Sequence, residues 1–184
     1  MNLRSLARLS IAAALLAIFA AGCAAPERNW NFFSGTTSPV PRTTVSYAGL
    51  EKPGTVIIST SERRLYLVLG NEQALRYGIG VGRVGFTWAG VTRVSAKKEW
   101  PDWTPPPQML RRDPDLPRFM EGGPDNPLGA RAMYLGSTLF RIHGSNEPET
   151  IGQAVSSGCF RLTNEDVIDL YGRVPVGAKV IVMR

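Results

Sequence analysis

Thr55-Val56-Ile57-Ile58-Ser59, then Arg64-Leu65-Tyr66-Leu67-Val68-Leu69, then Gln73 to Val81: three runs rich in branched and aromatic residues follow one another within residues 55–81. Such residues suit a pleated, half-buried surface. The second run ends in the turn signal Gly70-Asn71, so the three predict a meander of hairpins and a β-protein. Gly78, Gly80, Gly82 and Gly85 are too closely spaced for an undisturbed strand and predict bulges or close backbone packing. They open no helix and no Lys-Ser/Thr follows, which excludes a phosphate-binding loop.

Strand character resumes downstream over Val91 to Trp100, Ala130 to Leu135 and Thr138 to Ile142, and a closing strand runs from Lys179 to Met183. Between them, residues 101–127 carry eight prolines and few branched aliphatics. A loop of this length inside one domain is usually functional or disordered. Trp103 and Met109 argue against disorder, so an ordered excursion or lid is expected beside the active site. Glu147 to Ile151 has room for one helical turn. Thr163 followed three residues later by Asp166 is a helix N-terminus signature, and Val167, Leu170 and Tyr171 form a helical stripe, with Gly172 or Gly177 as the stop.

Upstream of the meander the composition changes twice. Arg4 and Arg8 precede the apolar run Ile11 to Ala21, which is too short to span a bilayer, and small residues lead to Cys23. Residues 1–22 are therefore expected to be an export signal. Residues 23–50 mix Ser, Thr, Pro and Gly with little periodicity and read as a flexible tether. Residues 51–184 then form one domain of ordinary size. The chain's net charge of +6 drops to about +4 without the two signal arginines, a mildly basic surface suited to an anionic polymer or membrane. No basic run with interleaved aromatics points to nucleic acid. One histidine and one cysteine in the folded part leave almost no ligand set for a soft metal, and no metal site is expected.

Those two residues are the chain's most telling pair. His143 is the sole histidine, and Cys159 is the sole cysteine besides Cys23. In an exported protein thiols tend to be paired, so a cysteine with no partner is flagged as reactive. A thiol with a reference pKa of about 8.5 is only a few per cent ionised at neutral pH. An imidazole that accepts its proton turns it into a nucleophile for acyl transfer. The histidine needs an acceptor for its other ring nitrogen. Glu147 is near in sequence, and a backbone carbonyl near Gly144 serves as well. A negative tetrahedral intermediate needs N–H donors, and the turn Ser157-Gly158-Cys159 is placed to supply them. In an extended segment Arg161 lies on the same side as Cys159, where it is a candidate for gripping a substrate carboxylate.

Ile142-His143-Gly144 followed by Ser156-Ser157-Gly158-Cys159-Phe160-Arg161 resembles the catalytic signature of the L,D-transpeptidases, the YkuD-domain family. Asn126-Pro127-Leu128-Gly129-Ala130-Arg131 with Tyr134-Leu135, and Trp100-Pro101-Asp102-Trp103, are similar to other family stretches. The resemblance covers about residues 52–184, and its one departure is Ser157, where the family usually has a histidine. It implies a mostly β, sandwich-like L,D-transpeptidase domain with a short helix after the cysteine and a Pro-rich loop. It further implies Cys159 as nucleophile, His143 as base, Gly144 as its orienter, Ser157 and Gly158 as oxyanion or site-shaping residues, and Arg161 and Tyr134 as substrate-binding residues. The implied partners are peptidoglycan stem peptides, with no cofactor. The acceptor is another diaminopimelate or an outer-membrane protein amine. Water in that place would make a carboxypeptidase or amidase, and a non-catalytic cell-wall-binding lipoprotein is the alternative from another class. Ala20-Ala21-Gly22-Cys23 resembles a lipobox, which implies lipidation at Cys23, a membrane anchor and a periplasmic domain. Ala24 favours the outer membrane.

Overall fold

The computed structural model describes residues 38–184. The export signal, Cys23 and the first part of the tether lie outside the described residues. The meander is present as β2 (Val56–Ser59), β3 (Arg64–Gly70) and β4 (Gln73–Gly78), antiparallel in succession. The third predicted run divides, because the chain leaves β4 at Gly78 and restarts as the two-residue β5 (Val81–Gly82). At Gly82 a Cβ would lie 2.4 Å from the Phe86 carbonyl oxygen, so that close approach requires glycine.

The tether expectation needs correction over part of its length. Thr43–Ser46 forms a strand, β1, paired antiparallel with β4. Arg42 beside it reaches Asp166 at 3.4 Å and Asp169 at 3.3 Å. No apolar alternation announces this strand, because it is an edge whose partner and ion pairs are remote in sequence.

The remaining strands are β6 (Gly90–Glu99), β7 (Arg131–Leu135), β8 (Arg141–His143), β9 (Ala154–Ser156), β10 (Phe160–Arg161) and β11 (Lys179–Met183). Nine of the eleven form one sheet in the order β1-β4-β3-β2-β11-β6-β7-β8-β10, and β5 pairs with β9. The long β6 joins two halves of the sheet. Its first residues pair with β11 and its later ones with β7, with a register shift between Val94 and Ala96. Such an irregularity bends the strand. Both halves then face one core: Val56, Ile58 and Leu65 pack in the same cluster as Met133, Ile142 and Phe160.

Among the described residues two α-helices complete the domain, α1 (Pro107–Arg112) and α2 (Asn164–Arg173), and the single helical turn expected within Glu147 to Ile151 is a 3-10 turn at Pro148–Thr150. The Asp166 N–H donates to Thr163 Oγ1 at 3.2 Å, the cap expected from the sequence. Buried Val167 and Leu170 set α2 against β7. Neither expected glycine stops it. Gly172 lies within the helix, which ends at Val174 before Pro175, a residue that cannot continue it. Lys97 on β6 also donates to the Tyr171 and Val174 carbonyls, satisfying the helix end. The expected strand from Thr138 begins only at Arg141. Thr138 Oγ1 instead donates to the Leu135 carbonyl at 2.7 Å and accepts the Phe140 N–H, making a turn. Residues 101–127 are ordered, with α1 and a Trp103–Met120 bridge inside them.

Candidate active site

β8 and β10 lie side by side in parallel, with Ile142 opposite Phe160 and His143 opposite Arg161. Side chains alternate across a strand. Ile142 and Phe160, 0% and 1% exposed, therefore point into the core. The residues on either side, Arg141 and His143 on β8, Cys159 and Arg161 at β10, share the opposite face. All four line one cavity of about 280 Å³. The Pro-rich segment walls it with Trp103, Pro106 and Met109, so the expected excursion does lie beside the site.

His143 is buried, and its Nδ1 lies 2.6 Å from the Gly144 carbonyl oxygen. A carbonyl only accepts, so Nδ1 carries the hydrogen and Nε2 is left as the basic nitrogen. Glu147 is not the orienter: its carboxylate pairs with Arg161 at 2.8 Å. Burial, reinforced by the charge of Arg161, pushes the imidazole pKa down to about 3. The ring is thus neutral at physiological pH.

The Gly144 carbonyl is held by tight packing. Asn164, the first residue of α2, accepts the Ala130 N–H through Oδ1 at 2.8 Å. A Cβ on Gly144 would lie 2.3 Å from that same oxygen. Asn164 escaped the sequence reading because it looked like an ordinary first-turn residue.

Cys159 is a free, partly exposed thiol at the cavity. Its Sγ lies 3.9 Å from the Leu139 carbonyl. Burial pushes its pKa up, against the pull of Arg141 and then Arg161, which favour the thiolate. The turn that presents it is shaped by Ser156, whose Oγ accepts the Gly158 N–H at 3.1 Å and donates to the Cys159 carbonyl at 2.6 Å. Gly158 has φ of +110°, and a Cβ there would lie 2.5 Å from the Phe140 ring. Phe140 is itself stacked on Trp88 at 4.8 Å, and Trp88 Nε1 donates to the Gly158 carbonyl. Gly158 is therefore a shaping residue, and its N–H is engaged by Ser156.

Ser157 lines the cavity, and its hydroxyl accepts from Arg83 Nη1 at 3.4 Å. Arg161 lies in the cavity as expected, ion-paired with Glu147. Tyr134 does not line the cavity. Its ring lies under the Arg141 guanidinium, 5.2 Å from the centroid, because the two residues are opposite one another on β7 and β8. Arg141 was missed by the sequence reading, although its place two residues before His143 in a strand puts it on the same face.

Residues 53–182 match a known domain family, the YkuD L,D-transpeptidase catalytic domain. The chain is 40% identical over 134 residues to the "Probable L,D-transpeptidase ErfK/SrfK" of Escherichia coli (strain K12), which covers 68% of this chain and 42% of that protein. It thus spans less than half the length of that curated relative. Among solved structures, an L,D-transpeptidase from Mycobacterium smegmatis shares the fold at 17% identity, with a TM-score of 0.57 over 71% of this chain and 58% of that one. A Brucella melitensis structure described as a probable carnitine operon oxidoreductase is 46% identical. It covers 83% of this chain and 99% of its own, with a TM-score of 0.54.

Proposed function

Since the chain belongs to the YkuD family of L,D-transpeptidase catalytic domains, we propose that it is a peptidoglycan L,D-transpeptidase working through Cys159. The observation that carries this reading is a thiol and an imidazole lining one cavity, the imidazole neutral and oriented by the Gly144 carbonyl. Cys159 Sγ attacks the carbonyl between diaminopimelate and D-Ala of a stem tetrapeptide. The S–C bond forms, the thiol proton passes to His143 Nε2, and from there it goes to the departing D-Ala nitrogen as the C–N bond breaks. An acceptor amine then attacks the thioester, returning a proton to the sulfur through His143. On this reading Arg161 exchanges its Glu147 partner for a substrate carboxylate, and the Cys159 N–H donates to the oxyanion.

On this reading the domain works in the periplasm, tethered by lipid at Cys23. The partners are stem peptides and an acceptor that is either diaminopimelate or an envelope-protein amine. The test is incubation of purified protein with disaccharide-tetrapeptide and an amine acceptor, followed by product masses. Loss of D-Ala with formation of a cross-linked mass supports the proposal. Loss of D-Ala alone makes the enzyme a hydrolase. Full turnover by Cys159→Ala refutes the mechanism.

A further inference from the structure

Besides the cysteine and histidine, the site face presents Arg141. Its guanidinium donates through Nη1 to the Leu139 carbonyl at 3.3 Å, the oxygen that the thiol also addresses at 3.9 Å. The guanidinium and the thiol thus converge on a single acceptor. Arg141 also stands across from the residue before β10, since His143 is opposite Arg161 two positions on. The side chain is fixed from behind by the Tyr134 ring, and its Nε is buried with no hydrogen-bond partner among the described residues. A guanidinium retains its charge at any working pH and presents a rigid fork of donors.

We infer that Arg141 is a catalytic residue of this chain, the cation that holds the negative charge of the Cys159 sulfur while it attacks. The inference rests on the reading of Cys159 as the nucleophile.

Other groups near the sulfur are less suited to that task. His143 is held neutral by burial, so the base does not supply a standing positive charge. Arg161 is neutralised by Glu147. Ser157 is a neutral hydroxyl engaged by Arg83, which is itself laid over the Phe86 ring at 4.1 Å. Arg141 has no carboxylate partner among the described residues, and after its own main-chain N–H its guanidinium favours the thiolate more than Arg161 does. In the step itself the thiol proton goes to His143 Nε2, the electron pair stays on sulfur, and Arg141 remains protonated throughout. As the S–C bond forms, the charge leaves the sulfur and that contact relaxes.

The test is the pH dependence of Cys159 alkylation by iodoacetamide, read without substrate in full-length protein carrying Cys23→Ala. An opposite charge within about 4–6 Å lowers a pKa by about one unit or more. Arg141→Gln should therefore raise the midpoint by that much and slow alkylation about tenfold at a fixed pH below it. Arg141→Lys, which keeps the charge, should recover most of the shift, and Arg161→Gln should move the midpoint less. Circular dichroism confirms that each variant is folded, and Arg141→Lys remains informative if the glutamine variant is not. A glutamine midpoint equal to the parent's, or a lysine midpoint displaced as far as Arg161→Gln displaces it or further, overturns the inference. Because no acyl transfer is measured, the inference can fail while the product assay above succeeds, and the reverse.

Discussion

Removing one buried hydroxyl from the turn before the nucleophile should cost more than removing the hydroxyl next to it. Ser156 is 3% exposed, and its Oγ both accepts the Gly158 N–H at 3.1 Å and donates to the Cys159 carbonyl at 2.6 Å. Ser156→Ala leaves a donor and an acceptor unmatched at once. An unmatched buried group costs about 1–3 kcal/mol, so the pair costs about 2–4 kcal/mol once partial access to water at the cavity is allowed for. For a domain of this size each kcal/mol lowers Tm by about 2–4 °C, which predicts a drop of roughly 4–16 °C. Ser157→Ala removes only a long contact with Arg83 at 3.4 Å and should stay within about 0.5 kcal/mol of the parent. Thermal unfolding by circular dichroism compares the two directly. The turn also aims Cys159, and a misplacement of about 1 Å can cost about a hundredfold in rate. Thiol acylation should therefore fall far more in Ser156→Ala than in Ser157→Ala. If the two variants melt together and acylate alike, the role assigned to Ser156 is wrong.

Two further outcomes follow from other parts of the molecule. His143 has a folded pKa of about 3, below its ordinary value of 6.5, because burial favours the neutral ring. The unfolded chain takes up a proton first as pH falls, so this residue's contribution is full above about pH 6.5. Below that it is lost at about 1.4 kcal/mol per pH unit, until the folded pKa is reached. Denaturant unfolding of the parent and His143→Gln across pH 4–8 should show this slope only in the parent, and identical slopes would contradict the burial argument. At the other edge of the sheet, a chain starting at residue 51 lacks β1 and Arg42 and exposes the β4 edge. It should be less stable than one starting at residue 38 by about 2 kcal/mol or more and more prone to associate. Equal melting of the two would show that 43–46 adds nothing.

Much of the site was legible before any fold was known. The meander, the Thr163 cap and the pairing of a lone thiol with a lone imidazole are local features, written in neighbouring residues. The orienting role of the Gly144 carbonyl was also within reach, because it is adjacent to His143 in the chain. Three placements depended on contacts remote from local pattern. Tyr134 lies outside the cavity lining, with a cross-strand neighbour, Arg141, over its ring. The Gly158 N–H is taken by a hydroxyl two residues away. Part of the tether became a strand because β4 offered an open edge.

Sequence alone determined that this is a β-domain of the L,D-transpeptidase family and singled out Cys159 and His143 as its candidate reactive pair. Residue type, spacing and alternation are local properties, and they survive any change in distant packing. Tertiary structure decided how the charges around the sulfur are arranged. Parallel pairing of β8 with β10 brings Arg141 beside the cysteine from a segment that no local rule connects to it, while Glu147 neutralises Arg161, which strand alternation had already placed on that side. Electrostatic effects depend on distance and burial rather than on order along the chain. The chemistry of the thiol was therefore readable in outline from its neighbours, but its electrostatic setting came into view only with the folded sheet.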